Sequence, residues 1–360
     1  MKTIILIGLL AIPFASLLAQ DQVNKSPLTV SGYAEVYYQY DFNNPAGNTR
    51  PSFVYSFNRN NEVSLNLGFV KAAYSKENVR ANVALAAGSY MNANYAAEGG
   101  VLKNIYEANI GVKLSRKANL WLDAGVFPSH IGFESAIGKD CWNVTRSMLA
   151  DNSPYFETGV KLSYTSKNEH WFLSALILNG WQRIERVYGN TTPAFGSQVT
   201  YKPNGSITLN ASSFIGSDKP DSVRQVRYFH NFYGIFQLSK SWAATIGFDM
   251  GAEQKAKGSS ATNTWYSPVL IVKYAAGSRS TLAARAEYYQ DKNGVIIASG
   301  TPNGFQTWGF SANFDYAVAE NATWRIEART LHSKDQIFEK RNNGLTAGNA
   351  SLTTTLAISF

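Results

Sequence analysis

A single cysteine, Cys141, stands in 360 residues. It has no partner for a disulfide within the chain, and it lies too far from the apolar N-terminus to be a lipid-attachment cysteine. Histidine is almost as scarce. His130, His170, His230 and His332 fall on separate strands or loops without metal-ligand spacing, so neither a metal nor a cofactor is expected. After the leader no stretch approaches ~18 uninterrupted apolar residues, and mean hydropathy is −0.20. A bundle of membrane helices is thereby excluded. Charged side chains make up only 16% of the chain. The formal charge of +8 is carried by scattered Lys and Arg, with no basic patch or RNA-binding motif, so it does not point to nucleic acid.

What the chain does have is 20 Tyr, 20 Phe, 8 Trp and 28 Gly, a composition that suits one large sheet. Its first residues carry Lys2, an apolar run over 4–18, and small Ala19 before polar Gln20 and Asp21. This is the pattern of an export signal over 1–19. The run is shorter than the ~20 residues of a spanning helix and is interrupted by Pro13. Removing it takes away one base, Lys2. An exported chain of this kind is either soluble or a barrel.

Residue-by-residue alternation decides how the sheet is built. Val30, Ala34, Val36, Tyr38 and Tyr40 share one face of an extended segment, and Ser31, Glu35 and Gln39 the other. The pattern returns at Val63, Leu65, Leu67 and Phe69, at Val79, Ala81, Val83 and Leu85, and at Ala108, Ile110, Val112 and Leu114. Further strands are expected over 120–126, 155–164, 171–181, 195–202, 206–214 and 227–238. Six more follow over 242–250, 266–274, 281–289, 307–316, 322–331 and 351–360, which makes sixteen in all.

The connections alternate in length. Short turns fall near 115, 165, 203, 239, 275 and 317. Long, polar, Gly- and Asn-rich loops fall over 41–60, 91–104, 128–154, 182–193, 252–263, 291–304 and 332–348. Short turns on one rim and long loops on the other distinguish an outer-membrane barrel from a soluble sandwich. Outward-facing aromatics agree: Tyr38, Tyr40, Tyr266, Tyr288 and Trp308 lie at loop-side strand ends, and Tyr164, Trp171, Trp242, Tyr274, Tyr316 and Trp324 at turn-side ends, as two membrane girdles would require. The last strand closes on a terminal aromatic, Phe360, similar to the signal by which such barrels are handed to their insertion machinery. The reading is an all-β, transmembrane antiparallel barrel over 20–360, with short periplasmic turns, long extracellular loops and both termini on the periplasmic side.

Several stretches together resemble the OmpL-like beta-barrel porin family of Gram-negative outer membranes. They are Ser31-Gly32-Tyr33 with Glu35 and Tyr37-Tyr38; Asn58-Arg59 with Asn61-Glu62; Phe127-Pro128-Ser129-His130-Ile131-Gly132; Thr145-Arg146-Ser147; Ser153-Pro154-Tyr155; and Asn179-Gly180-Trp181-Gln182. The resemblance covers nearly the whole mature chain. It implies a pore for small hydrophilic solutes, set in outer-membrane lipid and lipopolysaccharide, and by analogy with other sixteen-stranded porins a homo-oligomer.

A cylinder of sixteen strands is wide enough for an aqueous channel. On the inward parity lie the candidate pore-lining residues Arg80, Glu107, Lys113, Asp123, Glu157, Lys161, Arg285, Glu287, Arg325, Glu327 and Arg329. Arg285, Arg325 and Arg329 could form a local basic ladder, or could instead brace the wall through ion pairs. The loop 128–154 is the third on its rim and, by analogy with general porins, folds inward as a constriction. Ile131, Phe133, Trp142, Met148 and Leu149 would pack it on the wall, leaving His130, Glu134, Lys139, Asp140, Arg146 and Asp151 at the constriction, the charged ones facing solute. Two other readings compete with the porin. One is a structural or adhesive barrel with a plugged lumen. The other is an outer-membrane hydrolase, for which Ser129 beside His130 is the only adjacent pair, and neighbours on an extended segment point to opposite faces. Asp291-Lys292-Asn293-Gly294 resembles half a calcium loop, and a turn built on Asn-Gly accounts for it better.

Overall fold

A computed structural model describes residues 26–360; the export signal expected over 1–19 lies outside the described residues. Strand β1 (Leu28–Asp41) is followed by β2 (Val63–Lys76), β3 (Val79–Ala87), β4 (Ile105–Lys113), β5 (Asn119–Pro128) and β6 (Phe156–Thr165). Next come β7 (Trp171–Leu178), β8 (Ala194–Asn204), β9 (Ile207–Gly216), β10 (Arg227–Gln237), β11 (Trp242–Gln254) and β12 (Thr262–Ala275). The chain ends with β13 (Ser280–Asp291), β14 (Phe305–Ala319), β15 (Ala322–Ser333), the two-residue strands β16 (Phe338–Glu339) and β17 (Leu345–Thr346), and β18 (Gly348–Ser359). Strands β1 to β15 and β18 close one antiparallel barrel, sequential neighbours pairing throughout and β1 sealing against β18. β16 and β17 form a separate hairpin inside the last long loop.

Alternation sets the two surfaces. Val70, Val83, Ile110, Ile246 and Phe310 point outward and are half or more exposed. In water, apolar area left uncovered in this way forgoes about 25 cal/mol per Å²; lipid removes that cost. Both girdles are present. Tyr266, Tyr288 and Trp308 run across neighbouring strands at the loop-side rim, with centroids 6.1 and 4.7 Å apart. At the turn-side rim Trp171 stacks on Tyr201 at 4.2 Å and Trp242 lies 4.6 Å from Tyr274. Phe360 is tied to Gly32 by two backbone hydrogen bonds, 2.7 and 3.0 Å, and its ring lies over that glycine where a Cβ would collide.

Three boundaries depart from expectation. β7 stops at Leu178, and Trp181 turns into the barrel, edge-on to Phe214 and Phe229 at 5.0 and 4.8 Å. An eighth long loop, 217–226, joins β9 to β10, and a seventh turn, Glu77-Asn78, joins β2 to β3 with Glu77 at φ 54°. Gly125 on β5 faces Gly159 on β6. Gly125 has φ 125°, and a Cβ there would run into the Ala108 carbonyl, so the wall gives up its side chains beside the point where the third loop departs.

Candidate functional site: the lumen and the loop that enters it

The third loop leaves β5 and turns inside the cylinder. It carries a short helix, α1 (Met148–Asp151), whose N-cap Ser147 accepts a hydrogen bond from the Ala150 N–H. Its contacts reach almost all the way around the wall. His130 Nδ1 lies 2.8 Å from Glu157 on β6, and its Nε2 lies 2.8 Å from the Ser213 carbonyl on β9. The Gly132 N–H donates to Asn231 on β10. On the far side Met148 N–H donates to Glu287 on β13 at 2.6 Å, Asn143 to Asn313 on β14 at 2.7 Å, and Thr145 N–H to Glu327 on β15 at 2.9 Å. Gly138 lies against Glu35 of β1, and Lys139 Nζ reaches Ser359 at 3.1 Å.

Three arginines fasten this arrangement. Arg285 donates to the Thr145 carbonyl at 2.6 Å, and Arg325 to the carbonyls of Gly138 and Cys141 at 2.7 and 2.9 Å. Arg329 pairs with Glu287 at 2.7 Å, Arg285 with Glu287 at 3.2 Å and with Glu327 at 3.4 Å, and Arg325 with Asp315 at 2.8 Å. The fork of a guanidinium can hold carbonyls and a carboxylate at once, which suits it to pin a loop backbone to a wall. These side chains share the inward parity of β13 and β15, yet they are at most 4% exposed. The basic ladder therefore faces the loop, not open water.

The loop's own charges divide. Arg146 turns back on its backbone, donating to the carbonyls of Ser135, Val144 and Ala136, and Glu134 accepts from the Ser147 N–H and hydroxyl. Both are buried, as are His130 and Asp151. Burial raises the Glu134 carboxyl pKa although Arg285 opposes it, and burial pushes Asp151 up to about 7. At His130 burial works against the charged form, but Glu157 outweighs it and the pKa is raised. Among the charged residues expected to face solute, Lys139 and Asp140 alone are exposed; Glu134, Arg146 and Asp151 close the loop on itself. Cys141 is buried too, its thiol pushed up to about 11. Ile131, Met148 and Leu149 pack inward, the last with Val269, Ile271, Phe133 and Trp142.

A second loop lies over the third. In 42–62, Phe53, Val54 and Phe57 are buried; Phe53 meets Phe305 at 4.7 Å, and Asn152 donates to the Phe53 carbonyl. Arg50, Asp41 and Asn349 bind one another beside it. With Phe214, Phe229, Trp265 and Phe338, Phe53 and Val54 form an apolar cluster inside the barrel, while Phe57 packs with Tyr37 and Val144. The alternating aromatics of Phe53-Val54-Tyr55-Ser56-Phe57 were its signal, an apolar load no exposed polar loop would carry. Asp291, the half calcium loop, accepts from the N–H groups of Val295, Ile296 and Ile297 and so caps its own loop.

Water-accessible space remains on either side. A cavity of about 720 Å³ opens at the loop-side rim among Arg50, Phe53, Ile297 and Phe305. One of about 360 Å³ runs between the third loop and Lys71, Glu107 and Tyr233, and one of about 540 Å³ lies among Phe172, Lys202, Thr208 and Tyr233 near the turns. In this half Lys71 pairs with Glu107 and Arg80 with Asp123, each at 2.5 Å, while Lys113 and Lys161 make no ion pair among the described residues. Ser129 and His130 are not assembled for catalysis, because both imidazole nitrogens are engaged elsewhere and Ser129 Oγ accepts from the Ile131 N–H.

A family model described as "Putative beta-barrel porin-2, OmpL-like" matches residues 27–360. No curated protein matches the sequence. Among solved structures, an anion-selective porin from Comamonas acidovorans superposes with a TM-score of 0.60 at 8% identity, covering 92% of this chain and 99% of the other. The outer-membrane channel DcaP of Acinetobacter baumannii gives 0.57 at 11%, with 92% and 97% covered. OmpT of Vibrio cholerae in a trimer form gives 0.54 at 8%, with 93% and 100% covered. At such identities the likeness is one of fold.

Proposed function

The chain belongs to the OmpL-like beta-barrel porin family of outer membranes, and from that premise we propose that it forms a water-filled passage for passive diffusion of small hydrophilic solutes, narrowed by the loop 128–154. One observation carries this reading: a closed sixteen-stranded wall, polar within, is crossed by a loop pinned through Arg285, Arg325 and Arg329. Sixteen strands enclose more space than wall side chains fill. The loop is fastened on one side to β13, β14, β15, β18 and β1 and on the other, through His130 and Gly132, to β6, β9 and β10, and the passage follows the cavities left beside it, next to Lys71 and Glu107 and, toward the turns, next to Phe172, Lys202 and Thr208. Lys139 and Asp140 meet the solute, and the buried loop charges hold the shape. The residues around Ser129 act as architecture and not as a hydrolase. Residues 1–19 serve as a cleaved export signal, so the mature protein begins at Gln20. Short turns face the periplasm, and the subunits assemble as a homo-oligomer, a reading supported by the trimer form of the Vibrio cholerae neighbour.

Planar-bilayer recording tests the passage. The full-length protein should conduct in discrete steps, and shortening the loop between Ser135 and Ala150 should raise the single-channel conductance, provided the barrel still assembles. Equal conductance with and without the loop segment would place the narrowest point elsewhere. The apolar cluster under Phe53 favours a second reading, a barrel whose lumen is plugged. Silence from the intact protein, with current only after the loops are removed, would establish it.

A further inference from the structure

We propose that the turn-side half of the lumen is an anion-collecting vestibule and that the solutes it favours are small anions; this rests on the passage proposed above. Four strands carry an inward lysine in this half: Lys113 on β4, Lys161 on β6, Lys202 on β8 and, beyond β10, which has none, Lys273 on β12. None of the four makes an ion pair among the described residues. The acids that could have balanced them are already engaged. Glu107 is held by Lys71 and Asp123 by Arg80, each at 2.5 Å, and Asp315 by Arg325 at 2.8 Å. Glu157 is held by His130, and Glu287 and Glu327 are buried among the arginines that pin the loop. Inward acids and bases nearly balance in number, yet these acids are paired, whereas Lys202 is exposed and Lys113, Lys161 and Lys273 are partly exposed and unpaired among the described residues.

Two of the lysines are positioned without being neutralised. Lys161 Nζ lies 4.5 Å from the centre of the Phe127 ring, and Lys273 Nζ lies 4.6 Å from that of Trp142 on the third loop. An aromatic face attracts an ammonium through its quadrupole but carries no net charge. The cation is held in place and its field stays available to solute. Lys202 is exposed at the edge of the 540 Å³ cavity. Against these stand Glu169 in the turn after β6 and Asp140 at the tip of the loop, both exposed. A low-dielectric wall focuses the surplus into the passage, raising the local concentration of ions of opposite sign.

The test is the zero-current potential of the full-length protein across a potassium chloride gradient. Chloride should be preferred over potassium, and the preference should fade between low salt and 1 M, as the screening length shrinks from about 30 Å at 0.01 M to about 3 Å. Replacing Lys113, Lys161, Lys202 and Lys273 together by Gln should lower the chloride-to-potassium permeability ratio by about twofold or more while high-salt conductance stays similar. The corresponding Lys→Arg protein should keep the preference, which separates charge from packing. Conductance with potassium preferred, or with a preference the Gln substitutions leave unmoved, would overturn the vestibule and leave the porin standing. A protein that never conducts would remove both.

Discussion

Asp151 shows at the scale of one side chain what burying the third loop entails. Its carboxyl is enclosed by Ser56, Arg329, Arg146 and Glu134, and burial pushes its pKa to about 7 from an ordinary 3.8. Because the folded value lies above the unfolded one, the associated stability is complete below about pH 4 and is lost as pH rises through about 7. The contact between the first and third loops should therefore loosen as pH rises from about 4 to about 7 and change little above that. Proteolysis at Arg146 should speed up over that window in the native protein, and Asp151→Asn should flatten the dependence; an unchanged profile would show that the neighbouring arginines keep the carboxylate ionised. Parity revealed in the sequence that Arg285, Arg325 and Arg329 point inward. It could not reveal that they are covered, since their partners Thr145 and Gly138 lie 140 and 187 residues away, and local periodicity carries no trace of so distant a contact. The same holds for Glu134, read as solute-facing from its charge and in fact closed by Ser147.

At the scale of an element, all sixteen barrel strands were legible, because one face in lipid and one in a polar lumen force the alternation that defines them. What failed were ends and entries into the interior. The sequence extends the seventh strand to Trp181, whereas β7 ends at Leu178 and this aromatic fills the barrel. The first loop counts in the sequence among the long, polar, Gly- and Asn-rich extracellular loops, yet its Phe53 and Phe57 are buried. Between β5 and β6, Gly125 offers a direct test of how the wall accommodates the loop. Its φ of 125° is strained for any other residue, and the Ala108 carbonyl occupies the space of a Cβ. Gly125→Ala should destabilise the barrel by about 1–3 kcal/mol, read as a lower temperature for loss of the heat-resistant folded band in electrophoresis. Ala at exposed Gly205, where a Cβ meets nothing, should leave that temperature in place.

Across the whole molecule, closure, the two rims and the girdles follow from lipid as solvent, and so a sequence without a helical span still announced its membrane. Closure also imposes an order in time. The third loop is synthesised early, but the side chains that pin it stand on β13 and β15, and the last seam, β1 against β18, forms only when the C-terminal strand arrives. Contacts this far apart in sequence carry the largest loop-closure cost and form late. Until then Glu134, Arg146 and Asp151 are solvated and carry ordinary charges, and the loop is one more polar segment that need not cross lipid. Its interior hydrogen bonds become available only as the cylinder shuts. By this order the sheet should close unfilled, with the lumen filled last by contacts from the same strands that complete the wall.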